Sequence, residues 1–597
     1  MRSFEDDSDY KSIKWICWVV CIGMALVEAW SQRQFINEDG ISYLDMSDVF
    51  LRHNWHLLIN PIWSPLYPAL IGAVTWLIRP SGGWEVPVVH LLNFIIFLGT
   101  LASFEFLMRQ VIGVLRPENG QEDVASPRPL PVWTWQLLGY SLFAWSTFGM
   151  LWAPRMVTPD LCVAMFVYLD AGLLLSLRDP ANATRASLWL GLTLGLGYLT
   201  KAILFPLAFV FAAVAFVVIG NWKRAIPCTA LTLLVFAAIS APLVIAMSNR
   251  VGRPTYSEAG TLNYAWHVND VGGGKVACCA FYPSASGPPP YLRHPLTLLY
   301  KNPDIFAFNG PLPSTYSPRQ DMEYWAAGTK VVFNVHNQLQ ATRENILLLF
   351  TDSHVAPMSG LIVASFVVLV MNSNASQRIK MSLRGWPLLV PAIAAIGLYL
   401  LVWVEPRYVA PFFVLVSLGL LPGLLLQDSK DAHERPAVWT TVVAIGLILF
   451  SALVVAYHVA GFPRGEPRSG MFVQVGESLN TAGVYAGEEV AIIGDSSDGC
   501  RWARMARVHI VAQILREDVK EFWSISDPGR KKDIYDAFAR TGAKAVIAED
   551  PPPFSDLDEW EQLADTRYYV HFFNGSSLEH PADLNASPQQ VTESRRP

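Results

Sequence analysis

The stretch Gly197-Tyr198-Leu199-Thr200-Lys201 interrupts an otherwise apolar run that extends from Ser187 to Gly220. Read as one helix, this run would carry an ammonium group into the middle of a bilayer, where a charge is costly. Read as a hairpin of two spans, near 186–200 and 202–220, it places Lys201 at an interface. The second reading makes the chain a polytopic α-helical membrane protein. Working outward, apolar runs also fall near 14–30, 86–108, 133–152, 159–177, 226–246, 356–372, 386–404, 408–426 and 438–459. That gives about 11 transmembrane helices, each needing roughly 20 apolar residues.

Composition agrees. With 52% hydrophobic and only 16% charged residues in 597 positions, the chain is too apolar for a soluble protein of this size. A net charge of -6 leaves no basic footprint, so nucleic acid is excluded as a partner and the lipid bilayer is the expected one. The segment from Pro65 to Ile78 is apolar but short and punctuated by proline, which suits a helix lying along the interface.

Lys and Arg in short loops set the expected orientation. With residues 1–13 as a cytoplasmic tail, the connections 109–132, 178–185, 221–225, 373–385 and 427–437 are cytoplasmic, and each carries basic residues. Loop 31–85, a large loop 248–352 and everything after 460 then face the other side. The acidic start Met1-Arg2-Ser3-Phe4-Glu5-Asp6-Asp7 has no small-residue cleavage site, so the first span is expected to be a retained anchor.

Two pieces are expected to be soluble. Loop 248–352, rich in Gly, Pro, Tyr and Trp, has the composition of an irregular lid. Residues 461–575 read as a small C-terminal α/β domain: a strand at Val490–Ile493, helical spacing over Arg501–Leu515, a helix capped by Asp527-Pro528 and ending near Arg540, and a strand at Ala545–Ala548. It has no G-x-G-x-x-G, and the polar tail 576–597 reads as disordered. Seven cysteines show no metal spacing. Cys17, Cys21, Cys162 and Cys228 fall in or beside spans as core residues, while Cys278, Cys279 and Cys500 would face an oxidising compartment where pairing is open.

Several short motifs converge on the outward face: Asp39-x-x-x-Tyr43-x-x-x-Ser47 after the first span, Pro65-Leu66-Tyr67, Thr158-Pro159-Asp160, Gly197-Tyr198-Leu199-Thr200-Lys201, and Pro406-Arg407-Tyr408. In this order they resemble the GT-C superfamily of polyprenyl-phosphate-sugar-dependent glycosyltransferases, in particular bacterial relatives of the protein O-mannosyltransferases and aminoarabinose transferases. The resemblance covers residues 10–460, and the transmembrane domain is set at 14–460. It implies an inverting transferase of the bacterial inner membrane that moves a hexosyl or pentosyl group from a polyprenyl-phosphate-linked donor to an unknown acceptor hydroxyl, on a glycolipid, polysaccharide or protein.

The resemblance assigns Asp39 as the catalytic carboxylate that activates the acceptor; the same position suits a helix N-cap. Glu38 is an acidic neighbour expected to touch substrate, whereas Asp45 and Asp48 read as surface charges. Asp160 is the second catalytic carboxylate, in a place that also suits an ordinary helix start. The lipid phosphate calls for cations. Lys201, Arg407 and Arg155 are the candidates, against snorkelling for Lys201 and a pair with Glu405 for Arg407. Tyr43 and Tyr408 are expected to line the substrate; His53, His56 and His267 read as packing or hydrogen-bonding residues. No metal or other cofactor is implied by the branches resembled, although oligosaccharyltransferases of the superfamily use a divalent cation and Glu38, Asp39 and Asp160 offer oxygen ligands. A secondary transporter or a non-catalytic scaffold are the competing classes; the transporter would carry an internal repeat, and none is visible.

Overall fold

The computed structural model describes residues 8–115, 128–269, 297–308, 314–320, 331–372, 374–427, 435–460, 470–494 and 496–573. The expected cytoplasmic start before residue 8, the C-terminal tail, and Cys278 and Cys279 lie outside these residues, as does the side chain of Cys500. The chain divides into two compact units, one of residues 1–296 and 308–473, the other of 297–307 and 474–597.

The first unit is helical and belongs in a membrane. Among the described residues six helices are long and apolar enough to cross a bilayer: Asp9–Ser31, Glu85–Val114, Trp222–Val251, Ala375–Leu400, Pro406–Leu424 and Ala437–Val459. A seventh follows if Val335–Thr351 and Ala356–Met371, bent by 88° at their junction, form one span. The chain is an integral membrane protein. The other expected spans are helices too, but shorter or broken: Val132–Ala144 runs into a π-helical turn, and Asp160–Ser176, Ala183–Thr200 and Leu204–Ile219 follow. At 1.5 Å per residue a helix of 17 residues, such as Asp160–Ser176, reaches about 25 Å, short of the roughly 30 Å hydrocarbon core. Eleven apolar runs are therefore eleven helical segments, of which six or seven meet the requirements of a span.

Polar groups inside the unit find one another, as burial in lipid demands. Glu28 meets His458 at 2.7 Å. Thr193 hydrogen-bonds Asp170, and Tyr140 and Arg109 both reach Glu105. Small residues allow close helix contact: a Cβ on Gly385 would stand 2.1 Å from the Gly419 carbonyl oxygen. Cys17, Cys21, Cys162 and Cys228 are buried thiols.

Between the first two long spans lie helices Glu38–Leu51 and Leu66–Ile78. The cap of the first is Asn37, whose side-chain oxygen accepts from Val157 N at 2.9 Å and so ties this helix to the turn before Asp160. Asp39 thus sits inside the helix rather than at its cap. Asp45, expected on the surface, is buried and accepts hydrogen bonds from Thr315 N at 3.0 Å and Thr315 Oγ1 at 2.8 Å. It lies one heptad beyond Glu38, on the same helix face.

The second unit holds a seven-stranded sheet, ordered Thr297–Tyr300, Ile305–Ala307, His509–Ile514, Glu489–Ile493, Ala545–Glu549, Tyr568–Phe572, Glu561–Gln562. The three central strands are parallel and the flanking pairings antiparallel. Two corrections arise here. Loop 248–352 is not irregular throughout, since its hairpin at 297–307 extends this sheet and buries Ile305 in its core. The helical reading of Arg501–Leu515 fails beyond Ala506: helix Ser496–Ala506 gives way to strand His509–Ile514. That strand lies inside the sheet with four of its six residues buried, and its apolar stretch Ile510-Val511-Ala512 carries no alternation to separate it from a helix.

Candidate active site

Five separate segments bring charged side chains together in the first unit. Helix Glu38–Leu51 supplies Glu38 and Asp39 in its first turn. Asp160 opens helix Asp160–Ser176 behind Pro159. Lys201 caps helix Ala183–Thr200 in extended conformation, the break in the apolar run noted above. Glu405 caps, and Arg407 and Tyr408 begin, helix Pro406–Leu424. Arg319 comes from the short helix Ser317–Gln320.

These groups form a continuous chain of ion pairs. Arg407 Nη2 donates to Asp39 Oδ2 at 2.9 Å, its Nε donates to Glu405 Oε2 at 3.0 Å, and its Nη1 stands 3.6 Å from Asp160 Oδ2. Lys201 Nζ donates to Asp160 Oδ1 at 2.5 Å and lies 3.6 Å from the centre of the Tyr408 ring. On the far side of Asp39, Arg319 Nη2 is 3.5 Å from Oδ1 while its Nη1 donates to Glu38 Oε2 at 2.8 Å. Asp160 is the deepest carboxylate at 4% side-chain exposure, against 25% for Asp39, 31% for Glu405 and 35% for Glu38, so Asp39 lies between the buried and the open end of the chain. Asp160 Oδ2 is buried and makes no hydrogen bond.

Burial would push the Asp39 carboxyl up, but Arg407 and Arg319, with Lys201 behind them, hold it below the usual carboxylate range. It is ionised at neutral pH. Burial depresses Lys201 and Arg407 depresses it further, against the raising effect of Asp160. Tyr43 is pushed well above the usual phenol value by burial and by the charges of Asp39 and Asp160, which keeps its hydroxyl protonated.

Aromatic rings wall the cluster. Tyr43 packs edge-on against Trp63 and Tyr67, with centroids 5.2 and 5.3 Å away. Tyr408 stacks on Tyr399 at 5.3 Å. Trp403 reaches Glu405 with its indole N–H at 3.4 Å and stacks on His267, whose pKa burial lowers to about 4 and which is therefore neutral.

The fold thus gathers Glu38, Asp39, Tyr43, Asp160, Lys201, Arg407 and Tyr408. Arg155 is nearly buried, with its guanidinium carbon 4.0 Å from the Phe35 ring centre. Sequence reading missed Arg319, Tyr399 and Trp403. Arg319 follows Ser314-Thr315-Tyr316-Ser317-Pro318, a stretch without periodicity, and its place is explained by folded contacts such as Asp45 with Thr315 and Glu38 with Arg319 itself.

Among the described residues no group of three or more His, Cys, Asp and Glu side chains is arranged to hold a metal ion. Glu38, Asp39 and Asp160 each face a cation of the protein already, so this donor set does not fit a divalent ion.

No protein-family model matches the chain, and no curated protein matches it in sequence. Solved structures do. The Archaeoglobus fulgidus oligosaccharyltransferase, in a complex with Zn and sulfate, superposes with a TM-score of 0.51 at 12% identity, over 90% of this chain and 68% of that one. The fold is that of the GT-C glycosyltransferases. ArnT from Cupriavidus metallidurans in the apo state gives a TM-score of 0.49 at 12% identity, over 93% of this chain and 97% of that chain. Its structure bound to undecaprenyl phosphate gives 0.45 at 13% identity with the same coverage.

Proposed function

We propose that the chain is a membrane glycosyltransferase that takes a sugar from a polyprenyl-phosphate-linked donor and passes it, with inversion, to an acceptor hydroxyl. The observation that carries this is the ion-pair chain Asp39, Arg407, Asp160, Lys201, set at helix ends in a chain of GT-C fold. Asp39 is ionised and partly exposed, which suits a base for an incoming hydroxyl. Arg407 and Lys201 keep N–H donors beyond those engaged by carboxylates. In this reading they meet the donor phosphate and stabilise the charge that grows on its oxygen as the glycosidic bond breaks.

Asp160 orients both cations, with Lys201 on Oδ1 and Arg407 Nη1 3.6 Å from Oδ2. Tyr43 and Tyr408 offer ring faces and hydroxyls to the same sugar. The reaction needs no metal on this assignment. The eleven helical segments would all lie within the bilayer, the shorter ones packed among the long, with the N-terminus in the cytoplasm and the site on the outer face of a bacterial inner membrane.

The deciding experiment offers labelled polyprenyl-phosphate sugars to purified protein in detergent. Release of free polyprenyl phosphate supports the reading, and no release from any hexosyl or pentosyl donor, by protein that remains folded, overturns it.

A further inference from the structure

The geometry points to Arg319 as a positioning residue on the acceptor side of Asp39, held in place by a clamp between Asp45 and Thr315. This assignment rests on the glycosyltransferase reading and adds to it a residue from the large outward loop.

Asp39 has two oxygens with different surroundings. Oδ2 is engaged by Arg407 at 2.9 Å, on the side shared with Asp160 and Lys201. Among the described residues, Oδ1 is met by Arg319 at 3.5 Å, a distance longer than a good hydrogen bond. A base needs a lone pair that is not already taken, and Oδ1 is the less engaged of the two oxygens. The acceptor hydroxyl therefore approaches on the Arg319 side, opposite the donor phosphate. As the anomeric carbon's bond to the phosphate oxygen breaks, its electron pair stays on the phosphate. The acceptor oxygen forms the new bond to that carbon, and its proton passes to Asp39 Oδ1.

Arg319 is not a loose surface charge. Its side chain is 12% exposed, and its stronger contact is the 2.8 Å bond to Glu38. The segment before it is anchored twice: the Asp45 carboxylate takes both the N–H and the hydroxyl of Thr315, and Tyr316 is buried edge-on against Phe308. Glu38 and Asp45 stand one heptad apart on one helix face, so the segment runs alongside that helix and is fastened at both ends. Fastened in this way, Arg319 separates two adjacent carboxylates that would repel each other and keeps Oδ1 aimed outward. The groups facing Asp39 are then Arg407, Arg319 and Lys201 as cations, Glu38, Asp160 and Glu405 as anions, and the hydroxyls of Tyr43 and Tyr408.

The test uses full-length protein in detergent, with water as the acceptor, labelled polyprenyl-phosphate mannose, glucose and arabinose as donors, and polyprenyl phosphate alone as the binding probe. Arg319→Gln should slow hydrolysis by about 10- to 100-fold, the scale of a misplaced catalytic group, and leave polyprenyl phosphate affinity within about twofold. It should also move the acid limb of the pH profile upward, because one of the cations that depress Asp39 is gone. Arg319→Lys should recover part of the rate, and Thr315→Val should act in the same direction but less. A variant that loses polyprenyl phosphate binding along with rate places Arg319 on the donor instead. Unchanged rate and unchanged acid limb in Arg319→Gln remove it from the site altogether, and wild-type behaviour of Thr315→Val removes the clamp. Wild-type protein that binds polyprenyl phosphate but turns over no donor overturns the glycosyltransferase reading and this assignment together.

Discussion

Asp39 and Arg407 stand 368 positions apart in the chain and 2.9 Å apart at their side chains. One follows the first span and the other opens a span near the end of the membrane unit, so the contact closes the helical unit around its site. Breaking a part-buried ion pair by removing one partner leaves the other uncompensated. The roles proposed for the two residues are separable even so, because each has a second neighbour.

Asp39→Asn keeps the size of the side chain and loses its basicity. Turnover should fall by on the order of a hundredfold or more. Near-normal turnover in folded protein would make Asp39 only an anchor for Arg407. The pH dependence has a definite sign. Asp39 is depressed in the folded protein, so its contribution to stability is present above the unfolded value near 3.9 and is lost as pH falls through the lower folded value. The acid limb of turnover in the wild type should therefore lie below about pH 3.9, within whatever range the fold survives.

Lys201→Met and Arg407→Met should each weaken polyprenyl phosphate binding, turnover or both, by about 1.5–3 kcal/mol for a hydrogen bond to an ion. Arg407→Lys separates charge from shape. Arg407 uses three nitrogens toward three different carboxylates, a geometry an ammonium cannot reproduce, so rescue should be poor. Wild-type affinity and rate in both Met variants would leave snorkelling as the account of Lys201 and the Glu405 pair as the account of Arg407.

The legible parts of the molecule were those governed by a period or by lipid. Apolar length marked all eleven helical segments, and the cost of a charge in hydrocarbon singled out Lys201 and Asp160. The parts that stayed hidden depend on contacts between distant, aperiodic segments. Asp45 looks like any exposed helix acid until Thr315 is brought to it. The strands Thr297–Tyr300 and Ile305–Ala307 lie in a Pro- and Gly-rich loop and gain their meaning from pairing with His509–Ile514, some two hundred residues later. Sequence reasoning also cannot tell a 17-residue apolar helix that crosses a bilayer from one packed among longer neighbours.

The hairpin at 297–307 should be integral to the second unit. Ile305 is fully buried in that unit's core beside Ile514 and Phe522. Ile305→Ala should cost about 2–5 kcal/mol there, the range for a large-to-alanine change in a core. Limited proteolysis of the full chain should then cut faster within 474–573, while the membrane unit stays intact. Equal cleavage rates would show the hairpin to be peripheral.

Gly385 tests the packing of the helix that carries Arg407. A Cβ there would stand 2.1 Å from the Gly419 carbonyl oxygen, a backbone atom in the helix Pro406–Leu424 that begins at the site. No rotamer can relieve a clash with backbone, so Gly385→Ala should lower the melting temperature in detergent, with an overpacking cost of about 1–3 kcal/mol. If the helix shifts to make room, donor turnover should fall as well. Unchanged melting would show that this contact does not limit how the two helices pack.

Orientation is open to a direct chemical test. From the basic residues in the short connections, the N-terminus is expected in the cytoplasm and the second unit on the opposite side. Ala486 is exposed in that unit, so Ala486→Cys presents a thiol wherever the unit lies. An impermeant maleimide added to intact spheroplasts should label Ala486→Cys above the background of the wild type. Labelling only after the membrane is permeabilised would place the unit inside. With the same number of crossings, it would also turn the Asp39 and Arg407 site toward the cytoplasm, where a donor displayed on the outer leaflet could not reach it.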